Sequence, residues 1–460
     1  MKRAVLTFAV FACFCDTVGA QIVSGTIVGA ATDATGAVVT NGRITATNES
    51  TGIARSTTTD VSGGYVLPQL PPGNYRISVS APGFRSYDVS HVALLVDQTV
   101  RVDAQLQLGE VTERVEVSAQ AAQVDSETST LGQVVERQRI VALPLNGRNF
   151  MQLSSISSGV APAYNARSAT ITNQSGRSDL AVHVSGGRGD SNSYLIDGVE
   201  SRSMWFNSPS VLLSVDAIQE FKIERNMFSA EYGQGGGIVS LVSKSGTNDI
   251  HGSAYEFVRN NHFDAKNFFD NYFGQKQVPF KHNQFGLTAG GPIRKNKLFL
   301  SGNFEKLRSR QNNTLSANVP TPGQLSGNLN GLTSTRPGGV IIDPLTGQPF
   351  PNNIIPADRI SSVTKNFIQY TPVPNLSGAT GTDYVVGKST NRDDDQYGIR
   401  VDYQISAADT LFARYTDFSS TLYRPGLGVL AGNLYPYAGR NTVVQETHVF
   451  SPRLRHWCVG

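Results

Sequence analysis

Across residues 396–418 apolar and polar positions alternate one for one. Tyr397, Ile399, Val401, Tyr403 and Ile405 fall on one side, and Gly398, Arg400, Asp402 and Gln404 on the other. Ser406, Ala407, Ala408 and Asp409 make a short turn, after which Leu411, Ala413 and Tyr415 alternate with Arg414 and Thr416. Two period-two runs joined by a tight turn predict a β-hairpin. Each run matches the roughly 9–11 tilted residues that cross a bilayer, apolar outward and polar toward a lumen. A half-buried hairpin of a soluble sandwich alternates in the same way, so both readings stand on this stretch alone.

The same alternation recurs at 237–244, 252–259, 284–293, 297–308 and 442–450, which with the hairpin gives seven predicted strands. Within 297–308, Leu298, Leu300 and Phe304 share one face, and Phe299, Ser301, Asn303 and Glu305 the other. Short turns at 245–248 and 294–296 alternate with long polar stretches, above all the Pro-, Gly-, Asn- and Thr-rich 312–393. Short turns at one end and long loops at the other are the habit of outer-membrane barrels. Phe257, Phe263, Phe268, Phe269, Tyr272 and Phe273 gather near predicted strand ends, where they suit an interfacial girdle or plain loop packing.

Ahead of these, Met1-Lys2-Arg3, the apolar run 4–14 and Val18-Gly19-Ala20 form a secretory signal peptide (1–20), with cleavage between Ala20 and Gln21. No other run reaches 18 apolar residues, so a mature chain that enters a membrane does so as strands. Cys13 and Cys15 leave with the signal and only Cys458 survives, which excludes an intrachain disulfide. A net charge of +3 and 16% charged residues give no basic surface for nucleic acid.

Residues 21–108 break into short strand-like runs with Gly, Pro, Asn and Asp between them, the pattern of a small β-sandwich. Thr59-Asp60, Gly63-Gly64-Tyr65, Leu70-Pro71-Pro72-Gly73-Asn74-Tyr75 and Ala81-Pro82-Gly83-Phe84 resemble the carboxypeptidase regulatory-like family, which implies a transthyretin-like sandwich, grouped with carbohydrate-binding-like folds. No aromatic platform supports sugar binding, so a spacer role is expected. In 109–125, the alternating run that includes Glu110, Val111, Thr112, Val115 and Val117 is similar to the TonB box of TonB-dependent outer-membrane receptors, a segment that adds as a strand to TonB. It reads equally as the last strand of the sandwich.

Residues 126–234 carry Leu143-Pro144-Leu145-Asn146-Gly147-Arg148-Asn149-Phe150, then Tyr194-Leu195-Ile196-Asp197-Gly198-Val199, then 215–223 and Ala230-Glu231-Tyr232-Gly233. This order resembles the plug of TonB-dependent receptors, in its Oar-like branch. The residues make sense unaided: Asp197-Gly198 after an apolar run signals a tight turn, and the glycines of 233–237 permit close backbone approach. From 235 onward, Gly246-Thr247-Asn248, His251-Gly252, Gly290-Gly291-Pro292 and Asp343-Pro344-Leu345-Thr346-Gly347 resemble the Oar-like barrel.

Catalytic chemistry has no foothold in the sequence. The seven histidines are scattered without metal-ligand spacing, no Gly-x-Ser-x-Gly elbow occurs, and Gly186-Gly187-Arg188-Gly189 lacks the Lys-Ser/Thr of a phosphate loop. Arg188-Gly189-Asp190 is a chance adhesion tripeptide, and Asp393-Asp394-Asp395 reads as a solvated turn. No cofactor and no metal are expected.

The expected fold is mainly β: a transthyretin-like sandwich, an α+β plug, and part of an antiparallel transmembrane barrel. The resemblance implies an outer-membrane receptor that works with TonB and lipid, taking up an unidentified oligosaccharide, peptide or metal chelate without catalysing a reaction. A secreted or surface-exposed carbohydrate-binding, adhesive β-protein is the alternative. Seven strands cannot close around a plug where relatives use about twenty-two. The expectation is therefore a truncated receptor in which the final eight residues, 453–460, are off the strand pattern.

Overall fold

The structure is a computed structural model describing residues 24–109, 114–118, 131–162, 181–203, 208–226, 236–266, 268, 271, 276–330, 339–376, 382–428, 430–451 and 454–459. Two sheets face each other at the amino-terminal end. Gly25–Asp33 lies between Gly64–Leu70 and Thr99–Arg101, with Ala104–Leu106 beside its far end. The second sheet runs Ala54–Thr58, Arg43–Asn48, Gly73–Ser80, Ser86–Leu94, Arg114–Ser118. The inward set of the alternation fills the space between them: Ile27, Ile44, Ile77, Val79, Leu94 and Leu106 are fully buried. Turns close because carboxylates accept backbone donors, as Asp33 does from Thr35 and Ala37, and Asp60 from Ser62 and Gly64. Arg114–Ser118 pairs in parallel with Ser86–Ser90, so the sheet extends past the expected edge at 108.

A further five-stranded sheet runs in the order Leu131–Glu136, Ile218–Asn226, Gly237–Ser243, Asn192–Ile196, Val199–Glu200. Every residue of Gly237–Ser243 is buried. This corrects the assignment of 237–244 to the barrel: the strand is covered on both faces and pairs within the inner sheet. Gly237 is needed because a Cβ there would lie 2.5 Å from Val184. Phe150, Tyr194, Phe221, Ile223 and Leu241 form the core on one face, with Phe150 and Phe221 edge-to-face at 6.1 Å.

The largest sheet described is antiparallel and seven-stranded: His251–Asn260, Phe280–Arg294, Leu298–Ala317, Tyr384–Gln404, Asp409–Pro425, Gly432–Ser451 and Leu454–Val459. The expected hairpin is present, with Gln396 opposite Phe418 and Gln404 opposite Thr410. Its strands run to 21 and 17 residues, well beyond the membrane-crossing minimum. Residues 295–297 and 405–408 turn tightly at one end, while 261–279 and 318–383 connect strands at the other. Two expectations fail here. Leu454–Val459 is not off-pattern but pairs with 445–451. Asp393, Asp394 and Asp395 lie mid-strand, where Arg310 meets Asp393, Arg392 meets Asp394 and Arg308 meets Asp395 at 2.7–2.8 Å, so a run of like charges is balanced from neighbouring positions. No described helix is long and apolar enough to cross a membrane, which says nothing about strands.

The sandwich meets the tight-turn end of this sheet. The Asn248 amide donates to the Ser50 carbonyl at 2.9 Å, and an Arg55 Nη donates to the Thr410 hydroxyl at 3.2 Å. Its loop 95–98 also lies on the polar face of Ile218–Asn226, with the Val96 amide donating to a Glu220 carboxylate oxygen at 2.9 Å.

Candidate functional site between the inner sheet and the surrounding strands

Asp197 and Gly198 form the two-residue loop joining Asn192–Ile196 to Val199–Glu200. Both have positive φ, 49° and 79°, the backbone of a turn whose twist suits a hairpin and which favours Asp-Gly. The loop thrusts the Asp197 carboxylate, 3% exposed, at the surrounding strands. Arg414 lies 2.6 Å away, an ionic contact off the N–H axis, and Arg400 donates at 3.2 Å. The Ser243 amide and hydroxyl donate to its two oxygens, each at 2.8 Å. Burial pushes the Asp197 carboxyl up, but the two guanidiniums and Ser243 outweigh it and hold the group below the usual carboxylate range.

Arg400 and Arg414 occupy the polar positions of the hairpin alternation, so their strands deliver them inward while Ile399 and Tyr415 stay exposed on the other face. Each is held from other sides too. Arg400 meets Asp402 at 2.8 Å and lies over the Phe412 ring at 4.3 Å, while Arg414 donates to Thr416 and Asn441.

A second ionic contact involves Arg148. Gly147 and Arg148 both take left-handed backbone, which turns the chain after exposed Leu143 and Pro144 and leads into buried Phe150. Asn146 opens this 3-10 turn, and the Asn149 side chain caps the next one by accepting the Met151 amide at 3.0 Å. Arg148 pairs with Asp216, approaches Glu305 at 3.4 Å and lies over the Tyr255 ring at 4.4 Å. Glu305, 3% exposed, also accepts from the Tyr255 hydroxyl at 2.6 Å, Gln284 at 3.0 Å and Ser214 at 3.1 Å. The motif residues Arg148 and Asp197 thus contact the seven-stranded sheet at two separate places. Sequence reasoning missed their partners Glu305, Arg400 and Arg414, although each is a charge on the polar side of an alternating run.

On the long-connection side of these contacts a cavity of about 1040 Å³ opens, lined among others by Arg148, Phe150, Arg259, Glu305, Arg392 and Arg424. Glu110, Val111 and Thr112 lie outside the described residues, as do the cleavage residues Ala20 and Gln21. Val115 and Val117 are in the sandwich edge strand, opposite Tyr87 and Val89. Of the expected girdle, Phe257, Phe263 and Phe268 are exposed, and Phe269, Tyr272 and Phe273 lie outside the described residues. Among the described residues one group has metal-ligand spacing, Asp409, Glu446 and His448, with ligand atoms within 4.8 Å of one another. Cross-strand register assembles it, because Asp409 lies opposite His448, and linear spacing cannot reveal that. Its three residues sit on the outward side of their strands, and Asp409 and His448 satisfy each other by a hydrogen bond.

Residues 242–456 match the family described as Outer membrane beta barrel domain, and residues 26–107 match the Carboxypeptidase regulatory-like domain. The chain carries both and is an outer-membrane protein. It is 26% identical over 290 residues to the TonB-dependent transporter Oar of Myxococcus xanthus, across 60% of this chain and 26% of the relative. The chain thus spans about a quarter of the length of the curated relative it matches. Among solved structures, the siderophore receptor PirA from Acinetobacter baumannii is 17% identical, with 69% of this chain and 44% of that chain covered and a TM-score of 0.31. The ferric enterobactin receptor PfeA is 12% identical, with 71% and 44% covered and a TM-score of 0.33. Likeness at that level adds nothing to the assignment.

Proposed function

We propose that the chain acts in TonB-dependent uptake across the outer membrane, with the inner sheet as a plug held in the lumen until it is pulled. The observation that carries this reading is the seating of Asp197 on Arg400 and Arg414, on strands that expose Ile399 and Tyr415 on their other face. Buried ionic contacts supply specific seating, beside limited apolar contacts of Phe418 with the inner core and of Val443 with Val199. The cavity of about 1040 Å³ on the long-connection side is the chamber for the ligand, which is an oligosaccharide, peptide or metal chelate. No chemical step is catalysed.

The handle is the run with Glu110, Val111, Thr112, Val115 and Val117. Arg114–Ser118 is a five-residue edge strand in parallel pairing, the less stable arrangement per residue. It can leave the sandwich and add to a sheet edge of TonB, exchanging one set of backbone hydrogen bonds for another. A photo-reactive amino acid placed in turn at 110, 111, 112, 115 and 117 tests this in cells with an intact proton gradient. A cross-link to TonB from at least one position is expected. None from any of the five, with the protein present in the outer membrane, sinks the proposal.

A further inference from the structure

Gln69 presents a paradox that the sandwich by itself does not resolve. It sits at the irregularity between Gly64–Leu70 and Gly25–Asp33, where the pairing slips between Gly25–Leu70 and Ile27–Leu67. Its φ is 57°, a left-handed backbone that Gly or Asn adopts far more readily than Gln. Its side chain is 7% exposed, yet both the amide oxygen and the amide nitrogen lack a hydrogen-bond partner. Backbone strain and two orphaned polar atoms both oppose folding. Residues kept under such a double penalty concentrate where a ligand compensates.

The side chain lines a cavity of about 170 Å³ between the sandwich and the tight-turn end of the barrel strands. Five or six waters, or one small organic molecule, would fill about that space. The Leu70-Pro71-Pro72-Gly73-Asn74-Tyr75 motif, whose role the uptake reading leaves unexplained, supplies one wall through Pro71, Pro72 and Tyr75. The opposite wall includes Arg400 and Phe412. Charge on that side is closed: Arg400 pairs with Asp402 and Asp197. Arg55, on the sandwich side, has a hydroxyl partner in Thr410 and no ion pair among the described residues. Among the described residues the cavity therefore offers a guanidinium with no ion pair, a free amide NH2 with two N–H donors, and one free amide acceptor.

We propose that this cavity is a binding site for a small organic carboxylate that carries a neighbouring hydroxyl or amide N–H donor. The carboxylate takes Arg55 and the Gln69 amide nitrogen, and the donor takes the Gln69 oxygen. A hydroxy acid such as a uronic acid and a peptide-like carboxyl terminus both have this chemistry. Occupancy joins the sandwich to the wall that holds Asp197, through Arg400.

Calorimetric titration of the purified full chain in detergent, at low salt, tests the site with three probes: D-glucuronate, N-acetylglycine and uncharged methyl α-D-glucopyranoside. Saturable one-to-one binding of glucuronate or N-acetylglycine is expected, and whichever binds identifies the donor as hydroxyl or amide. Gln69→Gly relieves the left-handed strain, so its melting temperature should stay level or rise while affinity falls by at least about tenfold. Arg55→Gln should weaken binding as much. The site is rejected if neither carboxylate binds, if the glucoside binds equally well, if Gln69→Gly binds as tightly as the parent, or if Gln69→Gly melts lower, which would give Gln69 a structural role.

Discussion

In Arg43–Asn48 of the sandwich the inward residues are Ile44 and Ala46; in Asp409–Pro425 of the barrel wall they include Arg414 and Thr416. The outward residues are exchanged in the same sense, Arg43 in the first and Tyr415 in the second. One backbone period serves two opposite solvents. The sandwich excludes water from its interior, whereas the wall turns its apolar side to lipid and its inner side, which carries buried charges as well as Phe418, to a folded inner sheet. Alternation thus says where a strand is, and the chemistry of its inward set says what it surrounds.

The contrast breaks hardest at Ile77, fully buried in the sandwich. Ile77→Asp places an unpaired carboxylate in a dry core and should cost more than about 4 kcal/mol, enough to unfold a marginal domain. Limited proteolysis across 24–118 reads this directly; a sandwich as resistant as the parent contradicts an apolar interior. Removing an inward charge from the wall is next in size. Arg414→Ala strips Asp197 of one of two buried guanidiniums and should cost about 3–5 kcal/mol in denaturant unfolding. Asp197→Asn in the same molecule should recover part of that loss, because the stranded charge goes too. If the double variant is no more stable than the single, the ion contact is not the reason Arg414 is there.

On the lipid side, Ile399→Arg sharpens the comparison. Ile399 is half exposed, and in water an arginine there would be nearly neutral. In a bilayer it should cost about 2–4 kcal/mol at mid-depth and less near either interface. Urea unfolding from phospholipid vesicles supplies the measurement, and a neutral result there would place that face outside the hydrocarbon.

Much of this organisation is written locally. Asp197-Gly198 announces its turn because few residue pairs accept two positive φ values in succession, and the 396–418 hairpin announces itself through its two alternating runs. What escaped depended on neighbours distant in sequence. Ala54–Thr58 is a strand without an apolar pattern, held by pairing with Arg43–Thr47. Gly237–Ser243 lies in the inner sheet, where both faces are covered, and nothing in its short run told that placement from a wall strand. Asp393, Asp394 and Asp395 looked like a turn until cross-strand register brought Arg310 beside Asp393 and Arg308 beside Asp395. The partners of Arg148 and Asp197 were hidden for the same reason: register across a sheet is set by the whole fold.

The inner sheet carries the contrast within itself and makes it titratable. Its Asp197 loop faces the barrel wall, and its Glu220 face lies under the sandwich loop 95–98. Burial pushes the Glu220 carboxyl up to about 7 from an ordinary 4.5, with the Val96 amide, which favours the charged form, only partly opposing it. A carboxyl that holds its proton more tightly when folded stabilises the protein below the unfolded value and loses that stabilisation as pH rises. Stability should therefore fall between about pH 4.5 and 7 by up to about 3 kcal/mol. Glu220→Gln should flatten this limb, since the amide keeps its acceptor for Val96 and loses the titration. Asp197 works in the opposite sense. Its depressed carboxyl adds stability above the usual carboxylate range and surrenders it only as pH drops below about 4. Melting temperatures of parent and Glu220→Gln from pH 3 to 8 separate the two: the variant should lose the upper limb and keep the lower one. A parent curve that is level from pH 5 to 7 would mean that water reaches Glu220 beneath the sandwich loop, and that this contact is looser than the one at Asp197.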